Sequence, residues 1–530
     1  MLTRKSDYNQ TRDAFCWDVP THYNIGVDCC DRIAMDRPDA VAIIDASGIE
    51  LRTVTFGALR GLTNRLANAL AGDIGPGDRI AVLLPQSIET AVTHLTAFKM
   101  GAISIPLFTL FGVDALLHRL RDSGARVVVT DTDGAAKLAA LRDDLPDLRR
   151  IIIVGADLDT LLASQSDQFD PVDTLADDPA LLIYTSGTTG APKGALHAHR
   201  VLPGHLPGVE MSHDFFPQPG DLIWTPADWA WIGGLLDVLL PALHHAVPVV
   251  ACRFPKFTAE AAFALMRDLN VRNAFLPPTA LKMMRQMADP PAVSLRSVAS
   301  GGETLGAELI DWGQRVLGCT INEFYGQTEC NMIVSSCAAL AAAEPGVMGF
   351  AVPGHDVRVL DADGTPCPVD VEGDIACRAP DPVMFLRYWN NPTATAAKFR
   401  GDWLLTGDRG IPTASGRIRF KGRDDDVISS AGYRIGPAEI EDCLLTHDAV
   451  RMAGVVGAPD AIRGQAIVAF VQLRDGVVAD AALAAALTDH VRHRLAAHEA
   501  PREVRFVETL PMTTTGKIIR ADLRARCTVG

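Results

Sequence analysis

The sequence is short of several things at once, and each shortage argues against a class of function. No apolar run approaches the ~18 residues a membrane-crossing helix needs. The first residues, Met1-Leu-Thr-Arg-Lys-Ser-Asp-Tyr8, lack the apolar segment of a secretory leader, so a cytoplasmic protein without membrane insertion is expected. Positive charge is scarce: 49 Lys and Arg stand against 64 Asp and Glu, a formal net charge of −15. That balance argues against a nucleic-acid surface and against adhesion to anionic membranes. It leaves phosphate ligands open, because a few cations and helix N-termini bind phosphate inside an acidic protein. The eleven cysteines form no Cys-x-x-Cys pair, and neither Cys29-Cys30 nor the Cys330/Cys337 spacing makes a zinc site. Reduced, buried thiols are the expectation.

What remains is an ordinary globular composition, 48% hydrophobic and 21% charged. The 530 residues exceed what one core usually holds, so two or more domains are expected. In the first third, β-rich runs predict strands over 41–44, 79–84, 103–107, 127–129 and 151–154. Helical spacing predicts helices over 56–70, 87–100 and 113–120. Such alternation predicts a mostly parallel sheet covered by helices, and nothing in this third suggests chemistry. After residue 450, short strands over 452–456 and 467–473 and an Ala-rich helix over 480–495 predict a separate α+β module of about 100 residues.

The stretch that most plainly needs a ligand is Tyr184-Thr-Ser-Gly-Thr-Thr-Gly-Ala-Pro-Lys-Gly194. An apolar run over 180–183 leads into it as a buried strand. Glycines let backbone N–H groups turn toward an anion with no Cβ in the way, and Thr and Ser hydroxyls and the Lys193 ammonium add donors. The spacing Gly-x-x-Gly-x-x-Lys-Gly differs from that of P-loop ATPases. A flexible connector is the bland alternative, yet linkers rarely follow a buried strand or end in Pro-Lys-Gly.

This loop closely resembles the signature of the adenylate-forming enzymes, which include acyl-CoA synthetases, adenylation domains and luciferases. The likeness extends in order from about Leu181 to Leu523. It implies that Thr185, Ser186, Gly187, Thr188, Thr189, Gly190 and Lys193 hold the β- and γ-phosphates of ATP. Ser300-Gly-Gly-Glu-Thr304 is similar to the segment lying against adenine, which brings in Gly302, Glu303 and Thr304. Glu323-Phe-Tyr-Gly-Gln-Thr-Glu329 offers a ring for stacking, a hydroxyl and a carboxylate suited to a hard cation. By resemblance Tyr325 goes to adenine, Thr328 to the α-phosphate and Glu329 to Mg²⁺, with Glu323 and Gln327 beside the nucleotide. Asp408 matches the residue that grips ribose, as an acidic residue does in dinucleotide folds. Arg423 matches its neighbour on the ribose, and Asp425 the pivot of a mobile C-terminal domain. Gly432 and Arg434 match the segment lining the CoA tunnel in one domain pose, although relatives usually carry Ser at Ala431. Lys517 resembles the lysine that swings in to contact the carboxylate and the α-phosphate. Lys517, Glu329, Thr328 and Lys193 are thus the expected catalytic set.

Trp224-Thr-Pro-Ala-Asp-Trp-Ala-Trp-Ile-Gly-Gly234 packs three Trp and two Gly closely together. A core cluster and the wall of an apolar pocket both explain that. The resemblance favours the wall, with Trp229, Trp231 and Gly234 along the acyl site. Gly326 stands where acetate-activating members carry a Trp that closes the pocket, so acids of about four to eight carbons are expected.

These readings converge on an α/β protein. A large domain over 1–424, with mostly parallel sheets covered by helices, holds ATP and the acid, and a small mobile α+β domain covers 425–530. The implied function is an AMP-forming carboxylic acid:CoA ligase using ATP, Mg²⁺ and CoA through an acyl-adenylate, with no nucleic-acid partner; a homodimer is compatible with it. Two alternatives stay open: a stand-alone adenylating enzyme that loads a carrier protein, and a nucleotide-binding pseudoenzyme.

Overall fold

Runs of aliphatic and β-branched residues too short for helices form three sheets in the computed structural model, which describes residues 1–185, 192–302, 305, 307–423, 427–511, 518 and 520–527. The strand Val127–Thr130, Val-Val-Val-Thr, is buried along its whole length, as an interior parallel strand must be. It lies between Arg79–Leu83 and Arg150–Ile153, parallel to both. Arg79–Leu83 pairs onward with Ile103–Pro106, and that strand with Pro179–Thr185. The sheet then ends antiparallel, with Lys193–Ala198 and Arg387–Tyr388 at its edge. Residues 186–191 therefore connect the two arms of a hairpin, where the last parallel strand meets an antiparallel one.

The second sheet is mixed. Asn273–Phe275, Ser297–Gly301 and Ile321–Gln327 are parallel. From Asn331–Ser335 onward the pairing is antiparallel, through to Trp403–Pro412 and Ile418–Arg423. The expectation of mostly parallel sheets holds for its interior and fails at this end, where tight hairpins replace helical crossovers. The third sheet has five strands, among them Ile428–Ser430, Tyr433–Ile435, Val450–Asp460 and Gly464–Leu473. Helices Pro437–Leu445 and Ala481–Arg494 cover it, burying Ile440, Leu444, Leu487 and Val491 against Val455 and Ile467.

Caps fix where the helices start. The Thr55 hydroxyl accepts from Ala58 N–H ahead of Phe56–Leu70, and Ser87 accepts from Thr90 N–H ahead of Ile88–Lys99. Helix Val113–Ser123 ends at Gly124, whose φ of 60° closes the last turn. The strands and helices expected in the first third are all present with slightly shifted ends. Arg52–Thr55, Thr132–Ala139 and Ala156–Ala163 escaped sequence reading because they are short and their faces largely polar or exposed. No helix among the described residues is long and apolar enough to cross a membrane. The eleven cysteines are unpaired, and only Cys16 is exposed.

Candidate active site

The hairpin register sets Thr185 opposite Lys193, so both stand at the base of residues 186–191. Ser186, Gly187, Thr188, Thr189 and Gly190 lie outside the described residues. Lys193 Nζ sits 5.5 Å from the centre of the Tyr388 ring, close enough for a cation–π attraction. The Tyr388 hydroxyl donates a short hydrogen bond to Glu329 Oε1. A cation, a phenol and a carboxylate from three distant segments thus meet beside the loop. Glu329 and Thr328 are buried in the turn after strand Ile321–Gln327.

Gln327 holds that turn in place: its Nε2 donates to the Thr406 carbonyl at 2.9 Å, and its Oε1 accepts from Lys398 Nζ at 2.9 Å. Tyr325, on the same strand, donates to Asp408 Oδ2 at 2.6 Å. Burial, and then the Asp408 charge, push the Tyr325 hydroxyl well above its ordinary pKa, so it stays a donor. Asp408 lies directly across from Arg423 in the antiparallel pair Trp403–Pro412 and Ile418–Arg423. The residues expected to hold adenine and ribose are therefore neighbours in the fold. Glu323 is buried beneath them. Its Oε1 accepts from Leu305 N–H at 3.4 Å, and burial pushes its carboxyl up to about 7. Gly302 has φ +93° and is exposed. Glu303 and Thr304 lie outside the described residues, as do Asp425 and Lys517.

The C-terminal unit closes on the other flank. Gly432, at φ +81°, points its bare Cα at Pro277 and Trp231, where an added Cβ would rest 3.6 and 3.7 Å away. Glycine is needed here for the backbone angle. Beside it Tyr433 stacks on Trp231, ring centres 5.5 Å apart and planes 4° off parallel, and on His498 at 4.0 Å. Burial drives His498 down to about 3, so its ring is neutral in the stack. Arg434 is paired with Ser429 through the backbone. The segment matched to a CoA tunnel thus faces the aromatic wall matched to the acyl site.

Three residues assigned to that wall have other surroundings in this arrangement. Trp229 is completely buried among the aliphatic residues of the main core rather than lining an open wall. Gly234 has no side chain because the Asp228 carbonyl group occupies the space, its carbon 2.7 Å from where a Cβ would lie. Gly326 answers to the same cause: a Cβ there would run into the Asn331 carbonyl and come 3.0 Å from Met332 Cα. Its bareness makes room for a β-hairpin, so the expected long acyl pocket loses that support. Trp231, half-buried, is the one residue of the set that lies at the meeting of the two units.

Two features had no warning in the sequence. Tyr388 follows the apolar run Val383-Met-Phe-Leu386 and precedes Trp389, so it reads as one more core aromatic. The sole signal was scarcity: of only six tyrosines, Tyr184, Tyr325, Tyr388 and Tyr433 all stand around the site. The first third, expected to carry no chemistry, supplies helix Val113–Ser123, which bears on both the loop and the C-terminal unit.

Comparison with known proteins accords with this geometry. Residues 30–389 match the family model described as AMP-binding enzyme, and residues 439–517 that of the AMP-binding enzyme C-terminal domain. The chain belongs to this family of AMP-binding enzymes. It is 33% identical to the acetyl-coenzyme A synthetase of Bacillus subtilis, covering 95% of this chain and 90% of that one. It is equally 33% identical to the mitochondrial acyl-coenzyme A synthetase ACSM2 of Rattus norvegicus, over 96% of this chain and 92% of that one. Among solved structures, an acyl-CoA synthetase of Brucella canis superposes with a TM-score of 0.72 at 32% identity, over 99% of both chains.

Proposed function

We propose that the protein is an AMP-forming carboxylic acid:CoA ligase that works in two steps, and that the arrangement in which Gly432 and Tyr433 meet Trp231 serves the second. The observation that carries this reading is the contact of Gly432 and Tyr433 with Trp231, supported by the acyl-CoA synthetases among its relatives. In the first step the acid carboxylate attacks the α-phosphorus of ATP and pyrophosphate leaves. In the second the CoA thiol attacks the acyl carbonyl and AMP leaves.

Each residue has a physical task in this scheme. Tyr325 offers its ring to adenine, and Asp408 with Arg423 takes the ribose hydroxyls. Gly302, Glu303 and Thr304 lie along the base, and Glu323 and Gln327 support the strand that presents it. Thr185, Ser186, Gly187, Thr188, Thr189, Gly190 and Lys193 receive the β- and γ-phosphates, and Thr328 the α-phosphate. No group of three or more His, Cys, Asp or Glu among the described residues is arranged to hold a metal by itself. A lone Glu329 carboxylate oriented by Tyr388 suits Mg²⁺, which takes one or two carboxylates and completes its shell with substrate oxygens and water. Bound there, the ion would neutralise charge building on the phosphate oxygens. Lys517 delivers a further cation in the first step, after residues 425–530 turn about Asp425; Gly432 and Arg434 then line the thiol's path in the second. The acid is short or medium in chain length, with Trp231 against it.

Pyrophosphate release and CoA-thioester formation across straight-chain acids test the reading. Thioester formation with free CoA supports the ligase. Pyrophosphate release with transfer only to a carrier protein favours the adenylating alternative, and neither activity on any acid refutes the proposal.

A further inference from the structure

Tyr388 ends the edge strand of the first sheet, Glu329 follows a strand of the second, and the phenol meets opposite charges at its face and at its tip. In the pairing of Arg387–Tyr388 with Lys193–Ala198 the tyrosine stands opposite Ala195. Lys193, two residues away on the same face of that strand, is therefore its diagonal neighbour. The Lys193 ammonium accordingly rests 5.5 Å from the centre of the ring, while the hydroxyl at the tip donates to Glu329 Oε1. Among the described residues no ion pair joins Lys193 to Glu329; each meets Tyr388 instead. Tyr388 is buried and firmly set. Its N–H donates to Thr395 Oγ1 at 3.0 Å, Trp389 N–H to the Gly194 carbonyl at 2.6 Å, and Phe385 N–H to the Glu329 carbonyl at 2.8 Å. Arg200 Nη1 donates to the carbonyls of Asp381, Pro382 and Met384 at 2.9, 2.6 and 3.1 Å, so the segment leading to the tyrosine has little room to shift.

We propose that Tyr388 is a spacer: it keeps Lys193 and Glu329 from pairing with each other, so that both charges stay available to ligand. The proposal rests on the ligase reading above, in which Lys193 receives phosphate and Glu329 a cation. An ammonium and a buried carboxylate that share one neighbour attract strongly where water is scarce. Once paired, they would have to be parted before phosphate could take the ammonium, and binding would weaken by that cost. The tyrosine gives each charge a neutral partner instead. Its ring face attracts the cation, its hydroxyl satisfies one carboxylate oxygen, and neither contact cancels a charge. Tyr388 is thus a positioning residue that acts through Lys193 and Glu329. A phenylalanine there would serve Lys193 alone, and an aliphatic residue would serve neither.

Binding of ATP in EDTA, measured by calorimetry on the whole protein, reads the availability of Lys193 without metal or turnover. Glu329→Gln removes the carboxylate that would compete for the ammonium, and its effect is compared in the wild-type, Tyr388→Leu and Tyr388→Phe backgrounds. Repulsion between Glu329 and the phosphates is common to all three and cancels in the comparison. In Tyr388→Leu the gain in affinity from Glu329→Gln should exceed the gain in the wild type by roughly tenfold to a hundredfold, the range of a hydrogen bond between charged groups. In Tyr388→Phe the excess should have the same sign and be smaller. A tyrosine that merely braced the fold would lose binding in Tyr388→Leu with no rescue by Glu329→Gln. Should Tyr388→Leu fail to fold, Tyr388→Phe carries the test, because its ring keeps the edge-on packing against Phe385 at 5.0 Å. Equal gains from Glu329→Gln in every folded background overturn the spacer alone, as does a wild type that binds ATP only when Mg²⁺ is present. A wild type that binds no ATP under either condition overturns the ligase reading and the spacer with it.

Discussion

A single methyl group should separate the two half-reactions if the docked arrangement serves only the second. The place is Gly112, whose Cα abuts the end of helix Ala481–Arg494: a Cβ there would come 2.6 Å from the carbonyl carbon and oxygen of Arg494 and nearer still to the carbonyl oxygen of His493. An unstrained carbon–oxygen contact lies at about 3.3 Å, so the helix end must recede by the better part of an ångström. Its recession also stretches the Gly112 to Leu495 hydrogen bond and the Asp114 to Arg494 ion pair. When the C-terminal unit is elsewhere, alanine meets no obstacle, since φ −77° and ψ 175° suit any residue. Overpacking of this kind costs about 1–3 kcal/mol. At about 1.4 kcal/mol per tenfold, docking falls by roughly 5- to 150-fold. Gly112→Ala should therefore slow thioester formation from supplied acyl-adenylate and CoA by that factor, while ATP–pyrophosphate exchange is kept or rises. Equal loss of both, or no loss of either, would refute the assignment of this arrangement to the second step.

Other outcomes follow from the same contacts. Tyr433→Ala removes two aromatic stacks worth about 0.5–1.5 kcal/mol each, so the thioester step should again slow by about fivefold or more and exchange should not. Unchanged thioester kinetics would remove the stack from the mechanism. Asp408→Asn takes the charge from a buried acceptor; hydrogen bonds to charged groups contribute about 1.5–3 kcal/mol, so the KM for ATP should rise about tenfold to a hundredfold. A KM within twofold of wild type would place the ribose elsewhere. Glu499 supplies a pH test. Its carboxyl is raised from 4.5 to about 8 in the docked arrangement, so docking takes up a proton between those values, is favoured on the acid side, and loses that support as pH rises toward about 8. The thioester rate of wild type relative to Glu499→Gln, a ratio that cancels the ionisation of the thiol, should fall across that window and level off above it. A flat ratio would show that the group does not titrate with docking.

That the residues assigned to the nucleotide lie close together was legible in the sequence, because they sit on contiguous stretches whose local structure groups them. One strand and its turn carry Tyr325, Gln327, Thr328 and Glu329, and one antiparallel pairing sets Asp408 against Arg423. The periodic first third was legible for the same reason, since its strands are aliphatic throughout and its helices carry good caps. Contacts between distant segments were not legible. Tyr388 reaches Glu329 across 59 residues, and Arg119 meets Glu439 across the boundary of two units. No spacing rule reports such pairs, so a helix that looked like scaffolding touches both Tyr184 and the C-terminal unit.

Glycine is where family comparison and local geometry offer different explanations, and Gly326 can decide between them. A missing side chain was taken for a missing pocket wall, on the comparison with acetate-activating relatives that carry Trp. In this fold the side chain is missing because strand Asn331–Ser335 passes through the space, at the point where the hairpin register shifts between Tyr325 and Gly326. Even a methyl group would have to displace the Asn331 carbonyl, and backbone moves less readily than a side-chain tip. The cost begins at about 1–3 kcal/mol for overpacking and grows as the hairpin that carries Glu329 opens. Gly326→Trp should therefore lower the unfolding temperature and reduce turnover of every acid by a similar factor, leaving the order of preference as it was. Thermal unfolding together with a chain-length series from acetate upward decides the matter: a variant that folds as well as wild type and shifts its preference to acetate would show that the side chain finds the acyl pocket after all, and that the hairpin yields to make way for it.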